Sequence, residues 1–126
     1  MTPLDTVNEF IRLVCAKQLD EACALLTDDV EYDNVPMGKN HGPDAVKALL
    51  SGMLGDLQVE FITHREAATG NIVMNERTDR FIIGDKQHDI LVMGVFELTD
   101  DGKIRLWRDY FDMGSVQALM ADLGAG

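Results

Sequence analysis

Between residues 57 and 112 the chain is strand-like almost without interruption, and this constrains the fold more than any other feature. The segments 57–66 (LQVEFITHRE), 71–83 (NIVMNERTDRFII), 88–98 (HDILVMGVFEL) and 103–112 (KIRLWRDYFD) are rich in β-branched and aromatic residues. Turn signals separate the last three: Gly84-Asp85-Lys86 and Asp100-Asp101-Gly102. Links this short suit hairpins, because a parallel return needs a dozen or more residues. The last three segments therefore read as an antiparallel meander. A brief strand is expected at 30–34 (VEYDN).

Helical periodicity occupies the rest. Val7, Phe10, Ile11 and Val14 recur at i, i+3, i+4, i+7, as do Leu19, Ala22, Cys23 and Leu26. Val46, Leu49, Leu50 and Met53 repeat the pattern, and so do Val116, Leu119, Met120 and Leu123. Thr2, Pro3 and Asp5 form a start signal for the first helix, and Pro43 with Asp44 opens the third after Gly42. Helices segregated from a run of strands make an α+β domain. The expectation is a curved mixed or antiparallel sheet, wrapped by cover helices into a cone-like barrel with an internal apolar pocket. Residues 1–126 read as one domain, with Gly124-Ala125-Gly126 fraying at the end.

The formal net charge of −11 argues against nucleic acid and anionic membrane surfaces as partners. Cys15 and Cys23 fall at apolar helical positions, as core thiols of a reducing compartment would. The first residues lack signal-peptide character and no apolar run reaches spanning length, so a cytoplasmic location is expected. His41, His64 and His88 are scattered without ligand spacing, so no metal is expected, and no phosphate-cradling glycine motif appears.

The informative residues break the apolar pattern. One parity of 71–83 carries Val73, Asn75, Arg77, Asp79, Phe81 and Ile83, apolar at its ends and charged in the middle. Asp109 shares a face with Trp107 and Phe111, and Tyr32 and Asn34 share one with Val30. Each has a plainer reading when taken singly. Arg77 and Asp79 could be a solvated pair, Asp109 a surface carboxylate, Tyr32 and Asn34 turn residues before Pro36. Together they point to burial, and buried charges are costly unless paired and used. An arginine between two buried carboxylates holds them in different protonation states. The protonated one donates to an ether-like oxygen while the ionised one takes a proton from water, with tyrosine and asparagine holding that water. The outcome is hydrolytic opening of a strained cyclic ether.

These residues also resemble a known family. Asn75-Glu76-Arg77-Thr78-Asp79, the ending Leu106-Trp107-Arg108-Asp109-Tyr110-Phe111-Asp112, and Tyr32-Asp33-Asn34 before Pro36 are similar to limonene-1,2-epoxide hydrolases, in order along nearly the whole chain. The resemblance implies a nuclear transport factor 2-like (cystatin-like) fold, a homodimer, and a small apolar epoxide and water as substrates, without a cofactor. It implies Asp79 as general acid, Asp109 as base, Arg77 as the bridge between them, and Tyr32 and Asn34 as holders of the nucleophilic water. Two other classes stay open: a ketosteroid isomerase-like or polyketide cyclase-like enzyme, and a non-catalytic module for an apolar ligand.

Overall fold

In a computed structural model, residues 1–124 are described. Ala125 and Gly126, part of the end expected to fray, lie outside the described residues. The element order is α1 (Pro3–Cys15), α2 (Leu19–Cys23), β1 (Leu26–Asn34), β2 (Gly38–His41), α3 (Pro43–Leu54), β3 (Gln58–Thr69), β4 (Ile72–Ile83), β5 (Lys86–Leu98), β6 (Ile104–Tyr110) and α4 (Met113–Asp122). The strands form one mixed sheet in the order β2-β1-β6-β5-β4-β3. The expected meander extends over all four long strands, β3 through β6, each antiparallel to the next. The sheet is open, with β2 and β3 as its edges, so it is not a closed barrel. A register shift between Thr63 and Arg65 marks an irregularity that bends β3.

The first helix forms as its start signal predicts. Thr2 accepts from the Asp5 amide and Asp5 accepts in return from the Thr2 amide, closing a capping box. Its apolar face buries Val7, Phe10, Ile11 and Val14. Phe10 meets Trp107 edge-on at 5.1 Å between ring centroids, and Phe96 lies parallel to Trp107 at 5.8 Å. Full burial of each phenylalanine contributes about 1.5–3 kcal/mol, so α1 is held to the sheet chiefly by this cluster.

Four expectations need correction. The second helix stops at Cys23, and Leu26 opens β1, where it pairs with Ile104. Leu26 satisfies both a helical and a strand pattern; the Ile104 amide donating to the Leu25 carbonyl at 2.8 Å favours the strand. In α4 only Leu119 is buried, while Met120 and Leu123 are exposed. Cys15 and Cys23 are free thiols and half-buried, not fully enclosed. The segment between Gly38 and Gly42, which reads as a loop, contains the edge strand β2. Its polar residues carry no apolar alternation, and pairing with β1 alone makes it a strand.

β1 and β6 run parallel, with Tyr32 opposite Trp107 and Asn34 opposite Asp109. That register brings an early and a late part of the chain onto one inner face. No helix among the described residues is long and apolar enough to cross a membrane.

Candidate active site

Alternation along β4 turns Val73, Asn75, Arg77, Asp79 and Phe81 to the inner face, and all five are buried. The same rule turns Trp107 and Asp109 of β6 and Val30, Tyr32 and Asn34 of β1 inward. The five residues singled out by the sequence therefore share one face of one sheet. The plainer readings fail for each, because Tyr32, Asn34, Arg77, Asp79 and Asp109 are all buried.

Arg77 is the hub. Its Nε donates to Asp79 Oδ1 at 3.0 Å and its Nη2 to Asp79 Oδ2 at 2.9 Å. Toward the other carboxylate, Nη1 reaches Asp109 Oδ1 at 3.2 Å and Nη2 reaches Asp109 Oδ2 at 3.0 Å. Both contacts are two-pronged, the geometry that suits a planar guanidinium. The guanidinium carbon lies 5.3 Å from the centre of the Phe61 ring. Trp107 Nε1 donates to Asp109 Oδ1 at 2.9 Å, so the indole both fills the core and orients a carboxylate.

Charge is uneven here, with two carboxyls and one guanidinium. Burial pushes Asp79 up to about 6; Arg77 pulls the other way, and Asp109 adds to the rise. For Arg77 burial works against the charge, but Asp109 and Asp79 outweigh it and keep the guanidinium protonated. The Tyr32 hydroxyl is driven above its usual range by burial and then by Asp109, and stays a neutral donor. The Tyr32 ring is stacked on Trp107 at 3.9 Å, which fixes the tyrosine beside the carboxylate that Trp107 orients.

Tyr32, Asn34, Asp79 and Asp109 open onto one cavity of about 50 Å³. Its other walls are apolar: Met37, Met53, Phe61, Phe81, Ile90, Val92, Phe111 and Val116. The space suits a few waters. A wider depression on the opposite face of the sheet, lined by His64, Arg65, Glu76, Leu91, Met93 and Tyr110, is open to solvent. The inner cavity is the better candidate because it combines apolar walls with buried carboxyls. The three histidines lie on separate partners, His41 by Glu31, His64 by Thr78 and His88 by Asp122. Burial pushes the Cys15 thiol up to about 11, which makes it a poor nucleophile.

Three residues around the hub were not singled out beforehand. Trp107 orients Asp109, Asn75 Oδ1 accepts from Arg77 Nη1 at 3.0 Å, and Gly94 lies between them on β5. The available signals were the shared parity of Asn75 with Arg77 and a lone glycine inside an apolar strand.

The chain is also similar to known proteins along most of its length. The limonene-1,2-epoxide hydrolase catalytic domain family matches residues 1–121. Epoxide hydrolase EphG of Mycobacterium tuberculosis is 41% identical over 107 residues, covering 85% of this chain and 71% of the relative. A solved M. tuberculosis LEH-like epoxide hydrolase superposes with a TM-score of 0.79 at 39% identity, covering 90% of this chain and 80% of that one. A putative SnoaL-like polyketide cyclase from Shewanella denitrificans superposes with a TM-score of 0.84 at 11% identity, covering 95% and 97%. That last likeness is one of fold alone.

Proposed function

Because the chain belongs to the limonene-1,2-epoxide hydrolase family, we propose that it adds water to an apolar, cyclic or terpene-like epoxide to give a vicinal diol. The supporting observation is the pair Asp79 and Asp109 gripped by one buried Arg77 at the wall of an apolar cavity. Asp109 accepts a proton from water as the water oxygen bonds to a ring carbon. The ring C–O bond breaks in the same step, and the departing oxygen takes the Asp79 proton. Tyr32 and Asn34 hold the water in line from the β1 side. The site resets when Asp109 sheds its proton and Asp79 regains one. No cofactor enters this reaction. A terpene-sized substrate exceeds the cavity, so the walls at Met37, Met53, Phe111 and Val116 part to admit it.

In this reading residues 1–126 are one catalytic domain, and the free thiols Cys15 and Cys23 suit the cytoplasm. The active form is a homodimer. In its favour, Met74, Leu91, Met93 and Tyr110 adjoin one another on the outer face of β4–β6 and are exposed, Leu91 by 71%. Sedimentation at equilibrium should give twice the chain mass, and Leu91→Glu should shift it toward one. A single-chain mass for the unaltered protein rejects the dimer.

The reaction is tested with limonene-1,2-epoxide and cyclohexene oxide in ¹⁸O-labelled water under single turnover. Diol carrying solvent label, absent with Asp109→Asn, supports direct attack by water. A first-turnover diol that carries no solvent label would mean a covalent route through a protein carboxylate. No diol from a broad epoxide panel would reject epoxide hydrolysis.

A further inference from the structure

Arg77 uses all five of its N–H groups. Two serve Asp79, two serve Asp109, and the fifth, on Nη1, goes to Asn75 Oδ1 at 3.0 Å. We propose that Asn75, seated against Gly94, is a positioning residue that fixes the rotation of the Arg77 guanidinium and so sets how it is shared between Asp79 and Asp109. Its role in turnover rests on the epoxide hydrolase reading; its effect on the two carboxyls does not.

The amide has one possible orientation here. A guanidinium only donates, so the Asn75 oxygen must face it. The Asn75 Nδ2 is buried and has no hydrogen-bond partner among the described residues. Buried amides are ordinarily satisfied at both ends. Here the nitrogen is left unpaired while the oxygen is used, so the contact with Arg77 is what the position serves.

Gly94 carries the second part of the argument. Asn75, Gly94 and Asp109 form one rung across β4, β5 and β6. A Cβ on Gly94 would lie 2.4 Å from Arg77 Nη1, 2.6 Å from Asn75 Oδ1 and 3.0 Å from Asp109 Oδ1. Its backbone is not in the left-handed region, so glycine is not required there for conformation. What it supplies is room for three polar groups to meet in the middle of a buried sheet face.

The chemistry of the third acceptor also matters. A neutral amide holds Nη1 without adding a third negative charge beside Asp79 and Asp109. Without it, the freed N–H swings toward Asp109, and Asp79 loses part of its hold on the guanidinium. Asp79 is then left with burial and Asp109 both opposing its ionisation.

The test follows the Asp79 carboxyl by ¹³C NMR titration in the wild type, Asn75→Leu, Asn75→Ser and Gly94→Ala, with kcat and KM for cyclohexene oxide measured alongside. Asn75→Leu keeps the shape and removes the acceptor. It should raise the Asp79 midpoint by about one unit or more and lower kcat by about tenfold or more, with KM nearly unchanged. Asn75→Ser keeps an oxygen in the corner and should restore most of both. Gly94→Ala leaves the amide in place but displaces the guanidinium, and should move Asp79 in the same direction as Asn75→Leu. It decides the matter should the leucine variant fail to fold. An Asp79 midpoint that stays put in the folded variants overturns the proposal, even where kcat falls, because Asn75 would then serve packing alone. The titration needs no substrate, so a wild type that opens no epoxide would reject the assigned reaction and leave this readout intact.

Discussion

Arg77 and Arg108 each bridge two carboxylates, on opposite faces of the sheet. Arg77 points inward to Asp79 and Asp109 at 2.9 and 3.0 Å, its side chain wholly inaccessible. Arg108 points outward to Asp33 and Glu31 at 2.9 and 3.0 Å, its side chain 31% exposed. The distances are nearly the same and the consequences differ. Outside, desolvation opposes the charge on Glu31, but His41 and Arg108 together prevail and its carboxyl lies below the usual range. Inside, burial wins, and Asp79 is held well above that range despite a bidentate arginine. An ion pair in water is a contact, whereas one removed from water becomes a control on protonation. Asp79 of the inner fork can thereby offer a proton near neutral pH.

The largest expected effects break the inner fork. Asp109→Asn keeps the shape and one of the two acceptor oxygens yet removes the base, so kcat/KM should fall by about 10³-fold or more while the protein stays folded. Retained turnover in a folded Asp109→Asn protein would remove Asp109 from its assigned role. Arg77→Ala should abolish turnover and also cost about 3–5 kcal/mol of stability, because it strands two buried carboxyls. Denaturant unfolding checks the second figure. A variant as stable as the wild type would mean that water already screens the site.

That inner fork was legible because β4 presents its charges between Val73 and Phe81 on a single parity. Alternation reports burial whenever apolar residues flank a polar one, and it needed no knowledge of the strand's partners. What alternation cannot report is pairing. The parallel register of β1 with β6 joins residues more than 70 positions apart, and nothing local to Tyr32 or Trp107 encodes it. The edge strand β2 was hidden for a related reason, since its strand character comes from β1 alone. Asn75 and Gly94 were visible as letters and opaque in meaning. A glycine in a strand signals close approach by something, and only the register shows that the something is the Arg77–Asn75–Asp109 corner. The α4 stripe erred in the opposite sense: periodicity was present, but only Leu119 is buried.

A pH series sharpens the comparison by titrating the inner fork alone. Asp79 must carry its proton to act as acid, so kcat should decline as pH rises through about 6. Stability follows the same group. Between the ordinary carboxyl value of 3.8 and about 6, the folded state holds more protons than the unfolded state. The slope of unfolding free energy with pH is then negative for this group. Its contribution is complete below the lower value and is lost as pH rises through the upper one. Asp79→Asn removes that titration. Its stability relative to the wild type should therefore increase from pH 4 to pH 7, as followed by guanidinium midpoints. A constant difference across that range would show that Asp79 titrates alike in both states.

The smallest effect is expected at the outer fork, and it carries the most information about how the two faces are joined. Arg108 clasps Asp33 and Glu31 directly behind the rung where Asn34 meets Asp109. If the clasp set the β1–β6 register, losing it would displace Tyr32 and Asn34 from the inner site. Other bonds already hold that register. The Val35 amide donates to the Asp109 carbonyl at 3.1 Å, and Tyr32 is stacked on Trp107 at 3.9 Å. Arg108→Ala should therefore cost no more than about 1 kcal/mol, a cost that shrinks with added salt, and change kcat by about threefold at most. A loss of turnover approaching that of Arg77→Ala, in a protein that remains folded, would show that the outer arginine positions the water-holding residues through the sheet. The two forks would then be one device, divided between a face that fixes register and a face that moves protons.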